Sequence, residues 1–266
     1  MAEIFGQEFD FDNPKNTFFH GDCIEGMKAF PDGYFDLILT DPPYGTTRND
    51  WDIKPNLEKM WEQFNRVIKP NGAILVFSQM PFSAELVNTN KKMFRYEWIW
   101  KKTLGVNFLS ANKMPLRIHE NILVFYNAMP TYNPQKRLVR GRNEVRKKTG
   151  NYTKNYGRHG GSVWKDTGER YPTDVLEFDN SNHTGIINPT QKPVELLEYL
   201  ILTYTNKKEK VLDAFAGSGS TLIAAHNQNR IFVGFEKDGE MYKKTKERID
   251  AETAQINIYD LINAQK

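Results

Sequence analysis

Residues 40–44, Thr40-Asp41-Pro42-Pro43-Tyr44, directly follow a strand-like run, Phe35-Asp36-Leu37-Ile38-Leu39. The two prolines fix φ and remove two backbone donors, leaving a stiff turn that offers carbonyls but no N–H groups. Such a turn suits an amino group. The exocyclic amine of a nucleobase donates two hydrogen bonds, but its lone pair is delocalised into the ring and it is a poor nucleophile. If the Asp41 carboxylate and the Pro42 carbonyl accept both hydrogens, the nitrogen is drawn toward tetrahedral geometry as it attacks an electrophile. That arrangement is most complete in the transition state. Tyr44 adds a face on which a base removed from its helix can stack. The plainer reading is a stiff turn whose Asp caps a helix, and four specified residues after a strand weigh against it.

A second constellation lies near the carboxyl end. Lys210-Val211-Leu212-Asp213-Ala214-Phe215 reads as a strand running into the loop Ala216-Gly217-Ser218-Gly219-Ser220-Thr221. A helix, Leu222 to Gln228, and a second strand, Ile231 to Phe235, capped by Glu236, follow. Gly217 and Gly219 allow a tight turn and close approach of a ligand, and Glu236 stands where a carboxylate accepts hydrogen bonds from ribose hydroxyls. This pattern suits an adenosine. The third glycine of the dinucleotide fingerprint is missing, so a pyrophosphate is less favoured than a nucleoside with another tail. A glycine turn packed between a core strand and a helix is the structural alternative.

The elements that must position these residues follow from periodicity. Strands are expected over Asn16–His20, Phe35–Thr40, Ala73–Phe77, Tyr96–Trp100 and Asn121–Tyr126, with a helical turn or two from Glu25 to Phe30 and a helix near Pro81–Asn90. Leu57, Met60, Trp61, Phe64, Val67 and Ile68 mark an amphipathic helix closed by Lys69-Pro70-Asn71-Gly72. Val194, Leu197, Leu200 and Ile201 line another, opened by Pro193. The strand-loop-helix-strand unit implies an α/β fold: a Rossmann-like, mostly parallel, doubly wound sheet. In such sheets residues just beyond the carboxyl ends of strands face the ligand crevice, which places Asp41 and Tyr44 near the glycine loop. The stretch 130–187 lacks periodicity and reads as an insertion between a first half, 1–129, and a second, 188–266.

Composition limits the rest. The chain has 266 residues, 39% apolar and 13% aromatic, enough for a substantial core. Its apolar runs, such as Ala73-Ile74-Leu75-Val76-Phe77, are far shorter than a membrane span, and the acidic amino terminus lacks the order of a secretory signal. A single cysteine, Cys23, forbids an intrachain disulfide and fits a reducing cytosol. The five histidines show no zinc-ligand spacing, so no metal is expected.

Positive charge is concentrated. From Tyr132 to Arg170, eleven Lys/Arg face three acids, a net +8 in 39 residues of a chain whose total is +3. A solvated loop would account for a bare charge run. Interleaved Tyr132, Tyr152, Tyr156 and Trp164 favour nucleic acid, because aromatic rings and Arg planes stack on bases while charges track phosphates.

Asp41-Pro42-Pro43-Tyr44 together with Phe215-Ala216-Gly217-Ser218-Gly219 resembles the amino-group DNA methyltransferases that use S-adenosylmethionine. The order, catalytic turn first and glycine loop last, resembles their circularly permuted β class. Gly21-Asp22-Cys23 and Asn188-Pro189-Thr190-Gln191-Lys192-Pro193 extend the resemblance, which covers about residues 16–250. It implies Asp41, Pro42, Pro43 and Tyr44 as catalytic residues. For the cofactor it implies Asp22 and Cys23 at the adenine, Glu236 at the ribose, Thr190 and Lys192 at the carboxylate, and Asp213 to Thr221 (Phe215, Ala216, Gly217, Ser218, Gly219 and Ser220 among them) around the methionine portion, with Asp41 also among the cofactor-binding residues. It makes the insertion a target-recognition region for double-stranded DNA, with Arg137, Arg140, Arg142, Arg146, Lys147, Lys148, Lys154 and Arg158 as contacts, mostly to phosphate. A cytoplasmic, prokaryotic or phage-encoded enzyme is implied, with a homodimer and a cognate restriction enzyme as its partners.

Asp at the head of the turn favours N6 of adenine, since members acting on N4 of cytosine more often carry Ser there; N4-cytosine stays the close alternative. Methylation of cytosine C5 needs a thiolate in a Pro-Cys context, which Cys23 lacks. A non-catalytic DNA-binding subunit, a nicotinamide oxidoreductase, and an enzyme acting on RNA or protein are the remaining readings. The first is disfavoured by the intact motifs, the second by the absent glycine, and protein glutamine methylation by Asp rather than Asn at position 41.

Overall fold

The computed structural model describes residues 1–46, 49, 52–139, 145–155, 157–180, 187 and 190–263. The chain divides into one compact unit of Met1–Asn133 with Asp174–Lys266 and a second of Pro134–Thr173.

In the larger unit a short hairpin, β1 (Ala2–Ile4) and β2 (Gln7–Phe9), precedes β3 (Thr17–His20), α1 (Cys23–Met27), β4 (Phe35–Thr40), α2 (Leu57–Val67), β5 (Ile68–Ser78), α3 (Phe82–Thr89), β6 (Phe94–Val106) and β7 (Arg117–Phe125). The smaller unit holds β8 (Arg137–Leu138), β9 (Val145–Lys148), β10 (Asn151–Thr153), β11 (Gly157–His159), β12 (Ser162–Lys165) and β13 (Glu169–Arg170). After it come β14 (Val175–Phe178), α4 (Val194–Tyr204), β15 (Lys210–Asp213), α5 (Ser220–Asn227), β16 (Ile231–Glu236) and α6 (Gly239–Asn263).

Eight strands form one sheet in the order β14-β6-β7-β5-β4-β15-β16-β3. Its pairs are parallel except those made by β7, which runs against both β5 and β6. Alternation along the strands divides the core between two faces. Phe35, Ile38, Ile74, Val76 and Leu212 pack with Met27, Met60, Phe64 and Phe82 of α1, α2 and α3. Leu37, Leu39, Leu75 and Val211 pack with Leu197, Leu200, Leu222 and Ile249 of α4, α5 and α6. The fold is therefore the doubly wound, mostly parallel α/β sheet expected. At its centre β4 and β15 are neighbours whose connections leave in opposite directions, to β5 and to β16. That reversal opens a crevice at their carboxyl ends.

Two boundaries differ from the sequence reading. The smaller unit, Pro134–Thr173, is narrower than 130–187, because Val175–Phe178 leave it to pair with Ile99–Lys102 at the edge of the main sheet. The stop expected at Lys69–Gly72 is a bulge inside β5: Phe35 pairs with Ile68 and Leu37 with Ala73, so the intervening residues loop out opposite Asp36. Among the described residues, no helix is long and apolar enough to cross a membrane.

Candidate active site

The two sequence motifs meet at the crevice. Thr40, last residue of β4, donates its hydroxyl to Asp213 Oδ1 at 2.7 Å, and the Phe215 amide reaches Thr40 Oγ1 at 3.2 Å and Asp213 Oδ1 at 3.1 Å. The Asp41-Pro42-Pro43-Tyr44 turn is thereby bonded to the strand that carries the glycine loop. Burial pushes the Asp213 carboxyl up to about 6 against the Thr40, Thr221 and Phe215 hydrogen bonds, which pull the other way.

Asp41 stands next, its side chain 28% exposed. Tyr44 donates to its Oδ1 at 2.6 Å, and Lys192 is ion-paired with its Oδ2. The Tyr44 ring stacks on Phe82, centroids 5.4 Å apart and planes 29° apart, so one face is backed by α3. Burial, then the Asp41 charge, holds the phenol well above its ordinary range, so it is a donor. Pro42 is buried beneath the turn. Beyond it, buried Asp52 accepts the Gly45 and Thr46 amides, each at 2.9 Å, and fixes the exit of the turn. Pro43 is half-buried.

The structure gives Lys192 a different occupation from that of a free cation awaiting a carboxylate tail. Its ammonium lies between Asp41 and Glu120 Oε2, the latter at 3.4 Å, and 5.2 Å from the Phe77 ring centroid. Burial opposes its charge, but the two carboxylates outweigh that and raise its pKa above the ordinary lysine value. Glu120 in turn accepts Lys102 Nζ at 2.5 Å and Gln79 Nε2 at 3.2 Å. Burial would push the Glu120 carboxyl up, but Lys192 and Lys102 hold it below the ordinary range. Asp52, Glu120, Lys102 and Phe82 escape a reading of the sequence because no local motif marks them. Thr190 is exposed, and its neighbours Asn188 and Pro189 lie outside the described residues.

Across the crevice, Glu236 ends β16 beside His20 of β3. Its carboxylate accepts the Gly217 amide at 3.0 Å and the Asp238 amide at 2.8 Å, while burial raises its pKa. The Gly21 amide bonds the Glu236 carbonyl at 2.9 Å, which sets Asp22 at the neighbouring strand end. Asp22 caps α1 through the Ile24 amide at 2.9 Å and meets Lys237 at 3.2 Å. Cys23 behind it is buried and its thiol is pushed up by that burial, consistent with packing rather than reactivity. Phe5 is a further residue that no motif marks. In the β1–β2 turn it takes a positive φ of 49° and its ring lies over Gly21, where a Cβ would sit 2.5 Å from it.

The glycine loop is built as its sequence requires. Gly217 and Gly219 adopt φ of 48° and 76°, and a Cβ on Gly219 would come 2.7 Å from Thr245 of α6. Thr245 and Arg248 anchor the Gly217 and Ser218 carbonyls at 2.5 and 2.9 Å. Ala216, Ser218, Ser220 and Thr221 are buried around it, and Phe215 is partly buried. These groups fit S-adenosylmethionine at its nucleoside end, where acids at two adjacent strand ends, Glu236 and Asp22, stand beside the glycine loop. Among the described residues, no group of three or more His, Cys, Asp or Glu is placed to hold a metal ion.

In the smaller unit, Arg137, Lys147, Lys148 and Lys154 are exposed. Arg146 is partly used within the unit, 3.3 Å from Asp166, which Arg170 also meets at 2.8 Å. β9 pairs with β12, so Lys147 lies opposite Val163. Arg158 lies in β11, and Arg140 and Arg142 fall outside the described residues.

Residues 35–247 match a family model described as DNA methylase, of the N6/N4 type. Among curated proteins, the chain is 30% identical over 246 residues to the type II methyltransferase M.BglII of Bacillus subtilis, covering 85% of this chain and 66% of that protein. It is also 30% identical over 264 residues to the DNA adenine methyltransferase YhdJ of Escherichia coli K12, covering 90% and 84%. Two solved structures share the fold. The M1.HpyAVI–SAM complex aligns with a TM-score of 0.61 at 22% identity over 88% of this chain and 98% of that one. The cytosine-N4-specific PvuII DNA methyltransferase aligns with 0.63 at 16% identity over 92% and 93%.

Proposed function

The chain belongs to the N6/N4 DNA methylase family and uses S-adenosylmethionine, and from that premise we propose that it transfers methyl to N6 of an adenine flipped out of double-stranded DNA. The observation that carries this reading is Asp41, held by Tyr44 and Lys192 at the end of β4 and joined through Thr40 and Asp213 to the glycine loop.

S-adenosylmethionine supplies a methyl group already activated by its sulfonium charge. The protein has to bring the amine to it and manage two hydrogens. The face of the Tyr44 ring opposite Phe82 receives the base. Asp41 and the Pro42 carbonyl accept the amino hydrogens, which returns the lone pair to nitrogen as the N–C bond forms and the methyl–sulfur bond breaks to leave S-adenosylhomocysteine; one amino hydrogen departs as a proton by way of the Asp41 carboxylate. Glu236 and Asp22 hold the nucleoside of the cofactor. The shared turn chemistry would serve N4 of cytosine equally; Asp at position 41 and the similarity to an adenine methyltransferase support adenine.

The basic unit, Pro134–Thr173, is the target-recognition region in this reading, with Lys147, Lys148, Lys154 and Arg137 on phosphates. The setting is a prokaryotic or phage-infected cytoplasm, with pairing of two copies testable by sedimentation and a restriction partner by protection of DNA from cleavage.

The test is to incubate the chain with methyl-labelled cofactor and mixed-sequence duplex DNA, hydrolyse the DNA and identify the labelled nucleoside. N6-methyladenine is expected. N4-methylcytosine would replace the base and keep the site, and absence of label on DNA would overturn the reading.

A further inference from the structure

Lys102 and Glu120 sit on the paired antiparallel strands β6 and β7, only 8% and 5% exposed, and neither has a part in the transfer step. Burying two charges carries a desolvation cost that their attraction must repay, and an apolar pair often holds such a site as well. Their arrangement also goes beyond an isolated pair. Lys102 Nζ meets Glu120 Oε1 at 2.5 Å, Glu120 Oε2 lies 3.4 Å from Lys192 Nζ, and Lys192 is ion-paired with Asp41. Four side chains from β6, β7, the segment before α4 and the end of β4 thus form a row of alternating sign that ends at the carboxylate facing the crevice. Gln79, following β5, donates to Glu120 at 3.2 Å and holds it in line.

We propose that Glu120 and Lys102 are positioning residues for Asp41, acting through Lys192. Glu120 takes up part of the Lys192 charge, so that the ammonium orients Asp41 without quenching it as an acceptor. Lys102 in turn keeps Glu120 from claiming Lys192 outright. The inference deepens the functional reading above and rests on it.

A row of this kind makes opposite predictions for its two inner members. With Glu120→Gln, two ammoniums face Asp41 with no intervening anion, so Asp41 is harder to protonate. With Lys102→Met, Glu120 loses its second partner and its uncompensated charge makes Asp41 easier to protonate. Among the described residues, the other charged or titratable groups facing Asp41 are Tyr44 from its own turn and Asp213 from β15, with Asp52 acting on Tyr44; all are untouched by these variants.

The experiment is the pH dependence of single-turnover methyl transfer for the wild type, Glu120→Gln, Lys102→Met and the double variant. It is paired with a titration of the Asp41 carboxyl by carbon NMR in the substrate-free protein, assigned against Asp41→Asn. The acidic limb should fall by about half a pH unit in Glu120→Gln, rise by a similar amount in Lys102→Met, and return near the wild-type position in the double variant. Lys102→Arg, which keeps the charge, should restore the limb, and thermal melts identify any variant that fails to fold. Limbs that do not move, or that move in the same direction, with turnover merely lowered, would assign the pair to packing and overturn the inference. The carboxyl titration separates the two levels: a wild type that methylates no DNA overturns the functional reading, whereas an Asp41 titration unmoved by either variant overturns the charge row itself.

Discussion

Thr40 Oγ1 lies 2.7 Å from Asp213 Oδ1, a bond between residues 173 apart in sequence that joins the ends of the two central strands. It holds the Asp41–Tyr44 turn and the glycine loop in one crevice. Because Asp213 is buried with its carboxyl pushed up to about 6, it also makes stability depend on pH. Between its ordinary value near 4 and 6 the native state binds more protons than the unfolded state, so Asp213 removes stability as pH rises through that window and leaves it lower above. Asp213→Asn lacks this loss. The stability of the variant relative to wild type should therefore grow by on the order of 2–3 kcal/mol from pH 4 to pH 7 in denaturant titrations; a constant difference would refute the assignment.

In the proposed reaction Asp41→Ala removes the acceptor for the amino group. Transfer in single turnover should drop by at least about a hundredfold, the cost of deleting one such transition-state interaction, while cofactor affinity changes by only a few fold. Retained turnover would remove Asp41 from the reaction.

Tyr44 combines a ring stacked on Phe82 with a hydroxyl on Asp41, and two variants separate these roles. Tyr44→Phe should lower the transfer rate with little effect on DNA affinity. Tyr44→Ala should also weaken base capture by about tenfold, the scale of one aromatic–base stack, seen as a smaller rise in 2-aminopurine fluorescence at the target position. Equal behaviour of the two would argue against stacking.

Glu236→Gln places an amide where the carboxylate now accepts the Gly217 and Asp238 amides. The weakened loop and, in the proposed site, the poorer acceptor for ribose should reduce S-adenosylmethionine affinity by about tenfold in calorimetry, roughly one charge-assisted hydrogen bond. The rate at saturating cofactor should change far less.

Lys147→Ala with Lys148→Ala tests the basic unit. If both side chains sit on phosphates, the slope of log affinity against log salt should become shallower by about 0.9 for each lysine–phosphate pair removed, for all duplex sequences alike. An unchanged slope would leave these lysines as solvated charge.

The Asp-Pro-Pro-Tyr turn, the glycine loop and the strands that deliver them are legible in the sequence because each is local. Two prolines set a backbone, positive φ at Gly217 and Gly219 sets a turn, and alternating apolar residues such as Leu37 and Leu39 against Ile38 set a two-sided strand. The doubly wound sheet follows from the same local signals. What no spacing announces is which charges will meet. Lys192 is 151 residues from Asp41 and Glu120 is 18 from Lys102, each unremarkable where it stands, and Asp52 and Phe5 carry no motif. Helix α6, whose Thr245 and Arg248 anchor the glycine loop, lacks a clear apolar stripe by which its sequence could announce it. Local geometry is fixed by torsional preferences that each residue carries with it. The partner of a buried charge is fixed by strand order and by the need to compensate desolvation across elements distant in the chain, and only the folded sheet brings those elements together.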